Sequence, residues 1–144
     1  MSEFVIAIHS LVFLGHKQES LTSEQLAKNV CTNPVRVRRV MAKCKQADLV
    51  DTKRGVNGGY FLKGNLESIT LKEVYQAINI PLIQQNWQSG DADASCLVSS
   101  GMSDVMDEVY KELNQTVVDQ LSRTTLKQME AKLQHLNRER TVVK

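Results

Sequence analysis

The chain has 144 residues, of which 42% are apolar and 24% charged, with a formal net charge of +2. That is enough for one domain or a small domain with an attached oligomerisation arm, and too hydrophobic for a disordered chain. No apolar run approaches the roughly 20 residues that cross a bilayer, which excludes a transmembrane protein and leaves no membrane partner.

Charge is unevenly placed. Residues 1–70 carry ten basic and six acidic side chains, a net of +4, whereas residues 71–144 carry eight and ten, a net of −2. Within residues 31–64 eight basic side chains stand against two acidic ones, a net of +6. Charge localised in this way points to a polyanion-binding face on one half of the chain. The cysteines, Cys31, Cys44 and Cys96, are odd in number and widely spaced. They argue against a secreted disulfide framework and for a reducing cytoplasm.

The first apolar segment, residues 4–14, lacks a basic leader and a small-residue cleavage site, and reads as a core helix. Thr22-Ser-Glu-Gln25 is a capping box that opens a short second helix to about Asn29. After the break Val30-Cys31-Thr32, Asn33-Pro34 places an N-cap before proline at the first helical position and starts a third helix. Val37, Val40, Met41 and Cys44 form its buried stripe. Val35, Arg39, Ala42 and Gln46 project the other way, flanked by Arg36, Arg38, Lys43 and Lys45.

Two β-like runs follow, residues 49–52 and 59–62, joined by Lys53-Arg-Gly-Val-Asn-Gly58 with its Asn-Gly hairpin signal. Thr70-Leu-Lys-Glu73 is a second capping box, opening a helix to about Asn79 before Pro81. Residues 81–100 read as a loop, a length that is usually functional or mobile. Met102, Val105, Met106, Val109, Leu113, Val117 and Leu121 then mark a long amphipathic helix over 101–122, about 33 Å in length. Leu126, Met129, Leu133 and Leu136 mark a last one.

Two helices across a tight turn, followed by a hairpin, spell a winged helix-turn-helix in a mainly α chain. The second helix of such a motif fits the major groove of duplex DNA, and its N-terminus directs backbone N–H groups at phosphate. On this pattern Asn33, Val35, Arg36, Arg38, Arg39 and Lys43 face DNA from the helix, and Lys53, Arg54, Asn57 and Gly58 from the wing. The rival reading is a winged helix that serves protein contacts alone. No P-loop, Cys-x-x-Cys or His-Glu-x-x-His occurs, and no nucleophile is placed beside a base. No catalytic residue, metal ligand set or cofactor is expected, and the chain does not read as an enzyme.

The string Asn33 to Val50, followed by Arg54-Gly-Val-Asn-Gly-Gly-Tyr60, resembles the Rrf2 family of bacterial transcription regulators. Arg-Gly-x-x-Gly-Gly-Tyr in the wing is its most specific piece. The resemblance implies a homodimeric repressor with a DNA-binding domain over residues 1–80, a loop over 81–100 and a helical dimerisation arm over 101–144. Met102, Val105, Met106, Val109, Leu113 and Val117 would line the dimer interface. It also places Asn33, Val35, Arg36, Arg39, Arg54 and Asn57 in DNA-contacting positions. Iron–sulfur members hold their cluster with three closely spaced cysteines before the long helix; here only Cys96 lies there, with Gly90 and Gln84 at the corresponding steps.

Cys44 lies on an apolar stripe and reads as core. Cys31 precedes the third helix beside Arg36 and Arg38, surroundings that lower a thiol's pKa, and Cys96 lies in the long loop. On the family framework the expectation is a thiol switch in which oxidation joins Cys31 of one subunit to Cys96 of the other. The alternative is control by a small ligand in the loop around Trp87.

Overall fold

A computed structural model describes residues 2–143. The elements, in chain order, are α1 (Ser2–Lys17), α2 (Ser23–Val30), α3 (Pro34–Gln46), β1 (Val50–Lys53), β2 (Gly59–Leu62), α4 (Leu71–Ile78), α5 (Leu97–Leu121) and α6 (Leu126–Val143). The chain is mainly helical with a two-stranded antiparallel hairpin, as the patterning predicts. Both capping boxes form: Thr22 and Thr70 each accept from the N3 backbone, and Gln25 and Glu73 reach back to the cap N–H.

The chain divides into two compact units. In the first, residues up to Ile80 are joined by those from Leu121 onward. α1 is apolar enough to serve as its central strut, burying Ile6, Ala7, Leu11 and Leu14 against Leu26 of α2 and Val37, Val40 and Met41 of α3. Cys44 completes the α3 stripe at 0% exposure, and burial pushes its thiol up to about 12. Val74 and Ile78 of α4 and Leu126 of α6 close the core.

The segment into α6 is stitched to the first unit by backbone pairing. Leu71 N–H donates to the Thr124 carbonyl at 2.9 Å and Leu126 N–H to the Ile69 carbonyl at 2.9 Å. Lys127 N–H donates to the Leu66 carbonyl at 3.0 Å. On α6 Glu130 is 6% exposed, with His16 Nδ1 3.0 Å away and Lys127 Nζ at 2.8 Å. These two donors hold its carboxyl below the usual range, Lys127 contributing most.

The second unit, Pro81–Gln120, contains the loop and nearly all of α5. The loop is laid along the helix by side chains about two turns apart. Asn114 Oδ1 accepts from Ile83 N–H at 3.2 Å, its Nδ2 donates to the Ile83 carbonyl at 2.7 Å, and Gln85 Nε2 donates to Asp107 at 2.6 Å.

Some boundaries and one turn differ from the sequence reading, and β1 is Val50–Lys53 rather than 49–52. α1 runs from Ser2 to Lys17 rather than over 4–14, because its polar ends carry no apolar period; it stops where Gln18 turns left-handed at φ 55°. α5 starts at Leu97 rather than 101. Leu97 and Val98 are 85% and 61% exposed, so they add nothing to a buried stripe, and Ser99-Ser-Gly101 reads as loop. The hairpin turn is centred on Val56–Asn57, closed by Gly58 N–H on the Gly55 carbonyl at 3.0 Å, and Asn57 does not take the positive φ of an Asn-Gly turn.

Candidate nucleic-acid interface

The turn that orients α3 is built from local chemistry. Cys31 caps α2 in the left-handed region at φ 64°, ψ 49°, and Thr32 N–H closes back on the Ala27 carbonyl at 3.0 Å. Asn33 is extended, with its Oδ1 accepting from Val35 N–H at 2.7 Å, and Pro34 supplies the first helical residue without a donor to satisfy. Arg36 and Val37 N–H both bond the Asn33 carbonyl, at 3.1 and 3.3 Å. The donors of the first turn are therefore taken, contrary to the sequence expectation that they point at phosphate.

The side chains of α3 divide by what already holds them. Val35, Arg38, Arg39, Ala42, Lys45 and Gln46 are exposed along the outer side of α3. Arg36 donates to Ser2 Oγ at 2.6 Å and to Thr32 Oγ1 at 3.3 Å, bending back over α1 while remaining exposed. Arg39 is 3.9 Å from Glu3, and its side chain is 65% exposed. Arg38 turns towards α2, 3.2 Å from Ser23 Oγ and 3.6 Å from Glu24. Lys43 is half-buried, bonded to Glu3 at 2.8 Å and to the Ile78 carbonyl at 3.4 Å. Lys45, which the helical pattern places on the flank of that outer side, donates from Nζ to Thr52 Oγ1 at 3.1 Å and ties the last turn of α3 to β1.

The wing is mounted firmly. Register pairs Val50 with Leu62 and Lys53 with Gly59. Leu21 adds to the hairpin edge, exchanging bonds with Tyr60 at 2.9 and 2.7 Å. Gly59 is required at that junction: its φ is +138°, and a Cβ there would sit 2.3 Å from the Leu21 carbonyl oxygen. Lys53, Arg54 and Asn57 are exposed beyond it, and Gly58 is half-buried.

The thiols differ in setting. Cys31 is exposed, and its Sγ donates to the Lys28 carbonyl at 3.7 Å, at the C-terminal end of α2 and just before α3. Cys96 is exposed immediately before α5, where the backbone N–H groups of Ser99 and Val98 lower its pKa. Among the described residues no three His, Cys, Asp or Glu side chains are grouped to hold a metal ion. Trp87 is 77% exposed, and two clefts of about 860 and 680 Å³ in the first unit are lined by residues outside the 81–100 loop.

A family model described as "Rrf2: Iron-dependent Transcriptional regulator" matches residues 1–132. The HTH-type transcriptional regulator YwnA of Bacillus subtilis (strain 168) is 30% identical over 130 residues, covering 88% of this chain and 92% of that protein. The crystal structure of a transcriptional regulator from Lactobacillus plantarum superposes with a TM-score of 0.76 at 23% identity, covering 97% of each chain. A crystal structure of a DNA-binding protein gives 0.71 at 29% identity, covering 89% of this chain and 98% of that one. The iron in the family's description does not fit the donors present: Cys44 is sealed in the core, and Cys96 has no neighbouring pair of ligands among the described residues.

Proposed function

Because the chain belongs to the Rrf2 family of transcriptional regulators, a non-enzymatic family, we propose that it acts in the cytoplasm as a homodimeric repressor on a palindromic operator. α3 enters the major groove with Val35 and Arg39 towards the bases, while Arg36, Arg54 and Lys53 meet phosphates. The observation that carries this reading is the outer side of α3, where Val35, Arg38 and Arg39 are exposed, together with a hairpin braced by Leu21 and tied to the last turn of α3 through Lys45. Asn33 and Lys43 serve this interface from within: one caps the reading helix and the other anchors it.

Dimerisation is supported by α5. None of its 25 residues is buried, and Met102, Val105, Val109 and Leu113 are between 39% and 55% exposed. Met106 and Val117 lie half-buried on the same stripe. A helix of about 37 Å with such a stripe needs a partner, and a second copy supplies a matching one.

Control by thiol oxidation is part of the same reading. Cys31 abuts the reading helix and Cys96 is exposed with a lowered pKa. Hydrogen peroxide would take two electrons and two protons from the pair, forming one S–S bond and two waters. Cross-linking Cys31 to the partner's Cys96 would move the two α3 helices off the roughly 34 Å spacing of successive half-sites.

Selection from a random duplex library with the purified protein, followed by footprinting, tests the reading. A two-fold symmetric site with half-sites about one helical turn apart is expected. Failure to enrich any sequence would overturn it.

A further inference from the structure

The tip of the wing carries an apolar side chain that the fold does not use. Val56 is fully exposed, at 103%. A lone exposed apolar residue is ordinary; what sets this one apart is its mount. The turn Gly55-Val-Asn-Gly58 is closed by a 3.0 Å backbone bond. Gly55 takes φ +110°, and a Cβ on Gly58 would sit 2.4 Å from the Lys53 carbonyl oxygen. Both flanking positions are thereby stripped of side chains, and the tip presents one isopropyl group and one carboxamide ahead of Lys53 and Arg54. The Leu21–Tyr60 pairing fixes the base from which it projects.

We propose that Val56 enters the DNA minor groove beside the α3 footprint and selects A·T pairs there. This rests on the DNA-binding reading above. The minor groove is about 6 Å wide, against about 12 Å for the major groove, so a tip bare on both sides fits it and touches both walls. Along A·T pairs its floor shows only acceptors, whereas each G·C pair adds the guanine N2 amino donor. An isopropyl group cannot accept a hydrogen bond, so covering that amino group leaves it unpaired, and its bulk meets the side chain directly. A·T tracts also narrow the groove and deepen its negative potential, which draws in Arg54 and Lys53. Minor-groove proteins do press apolar side chains into this groove, where they wedge between base steps.

The test keeps the selected half-sites fixed, varies the flanking pairs, and compares the full-length protein with Val56→Ser. The Val56 side chain is fully exposed, so the variant should fold, and a melting curve checks this. For the wild type, changing the critical flanking A·T to G·C should weaken binding about tenfold. Inosine·cytosine at that position keeps the major-groove face of G·C but removes the N2 amino group, and should restore affinity to within about twofold. Val56→Ser should lose the tenfold discrimination while keeping its half-site preference. Unchanged discrimination in Val56→Ser, or inosine·cytosine behaving like G·C, would overturn the assignment. Selection of half-sites with no flanking preference refutes this inference alone; selection of no duplex at all refutes the DNA-binding reading with it.

Discussion

Lys43 Nζ lies 2.8 Å from Glu3 Oε2, so a lysine that charge patterning assigns to the DNA face is a brace between α3 and the first turn of α1. Its second bond, to the Ile78 carbonyl, extends the brace to α4. Glu3 is shared, because Arg39 reaches it from one turn earlier at 3.9 Å. Neutralising Lys43 and neutralising Arg39 should therefore have separable effects. Lys43→Ala should lower stability by about 1 kcal/mol, a few degrees in Tm, and leave the salt dependence of DNA binding near that of the wild type. Arg39→Ala should leave Tm near that of the wild type, weaken DNA binding and relax base discrimination within the half-site. Thermal melts beside binding titrations would show it.

The α5 stripe gives a second expectation. Val109→Asp with Leu113→Asp places two charges per chain at positions 40% and 44% exposed in the single chain. In a dimer these would be buried against like charges, and the variant should sediment as a monomer that binds a half-site poorly. A wild type that is already monomeric at micromolar concentration would remove the basis for a palindromic operator.

The thiols can be told apart chemically. Cys44, buried with its thiol pushed up to about 12, should resist alkylation until the protein unfolds, while Cys96 should react readily. Mild peroxide should give a covalent dimer that releases DNA, and reductant should restore binding. Cys31→Ser and Cys96→Ser should each abolish the cross-link, and Cys44→Ser should retain it. Loss of DNA on oxidation of Cys31→Ser protein would place the control elsewhere.

Glu130 sets a pH dependence. Its carboxyl is held below the usual range by Lys127 and His16, so the folded state binds its proton less readily than the unfolded chain does. The stabilisation is therefore present above the ordinary carboxylate range and is lost as pH falls through the depressed one. Glu130→Gln should cost about 1 kcal/mol at neutral pH, and the gap from wild type should close in acid. Chemical denaturation at several pH values measures it.

Much of this architecture is legible in the sequence because it is written in local chemistry. Thr22, Asn33-Pro34 and Thr70 mark helix starts by their own hydrogen bonds, and each cap is formed as patterned. Val37, Val40, Met41 and Cys44 show the buried side of α3 because burial enforces a period. What escapes notice depends on contacts between distant residues or on their absence. The Leu21–Tyr60 pairing joins segments nearly 40 residues apart, and no composition signals it. The start of α5 at Leu97 escapes because its first apolar side chains are buried against nothing in the single chain. The charge run over α3 suggests a uniform cationic face, yet Lys43 is half-buried against Glu3, Arg38 turns to α2, and Lys45 bonds to β1. Charge counting sees the cations but not the partners.

The central claim is that α3 and the wing bind duplex DNA through Arg36, Arg39 and Arg54, and its most direct test is affinity against salt. For a dimer making about 6–10 phosphate contacts, log K should fall against log[salt] with a slope of about −5 to −9. Arg36→Ala and Arg54→Ala should each weaken binding and reduce that slope by about 2 per dimer, while Arg39→Ala should weaken binding and relax base discrimination. A flat salt response in the wild type, or wild-type affinity in the triple variant, would contradict the account.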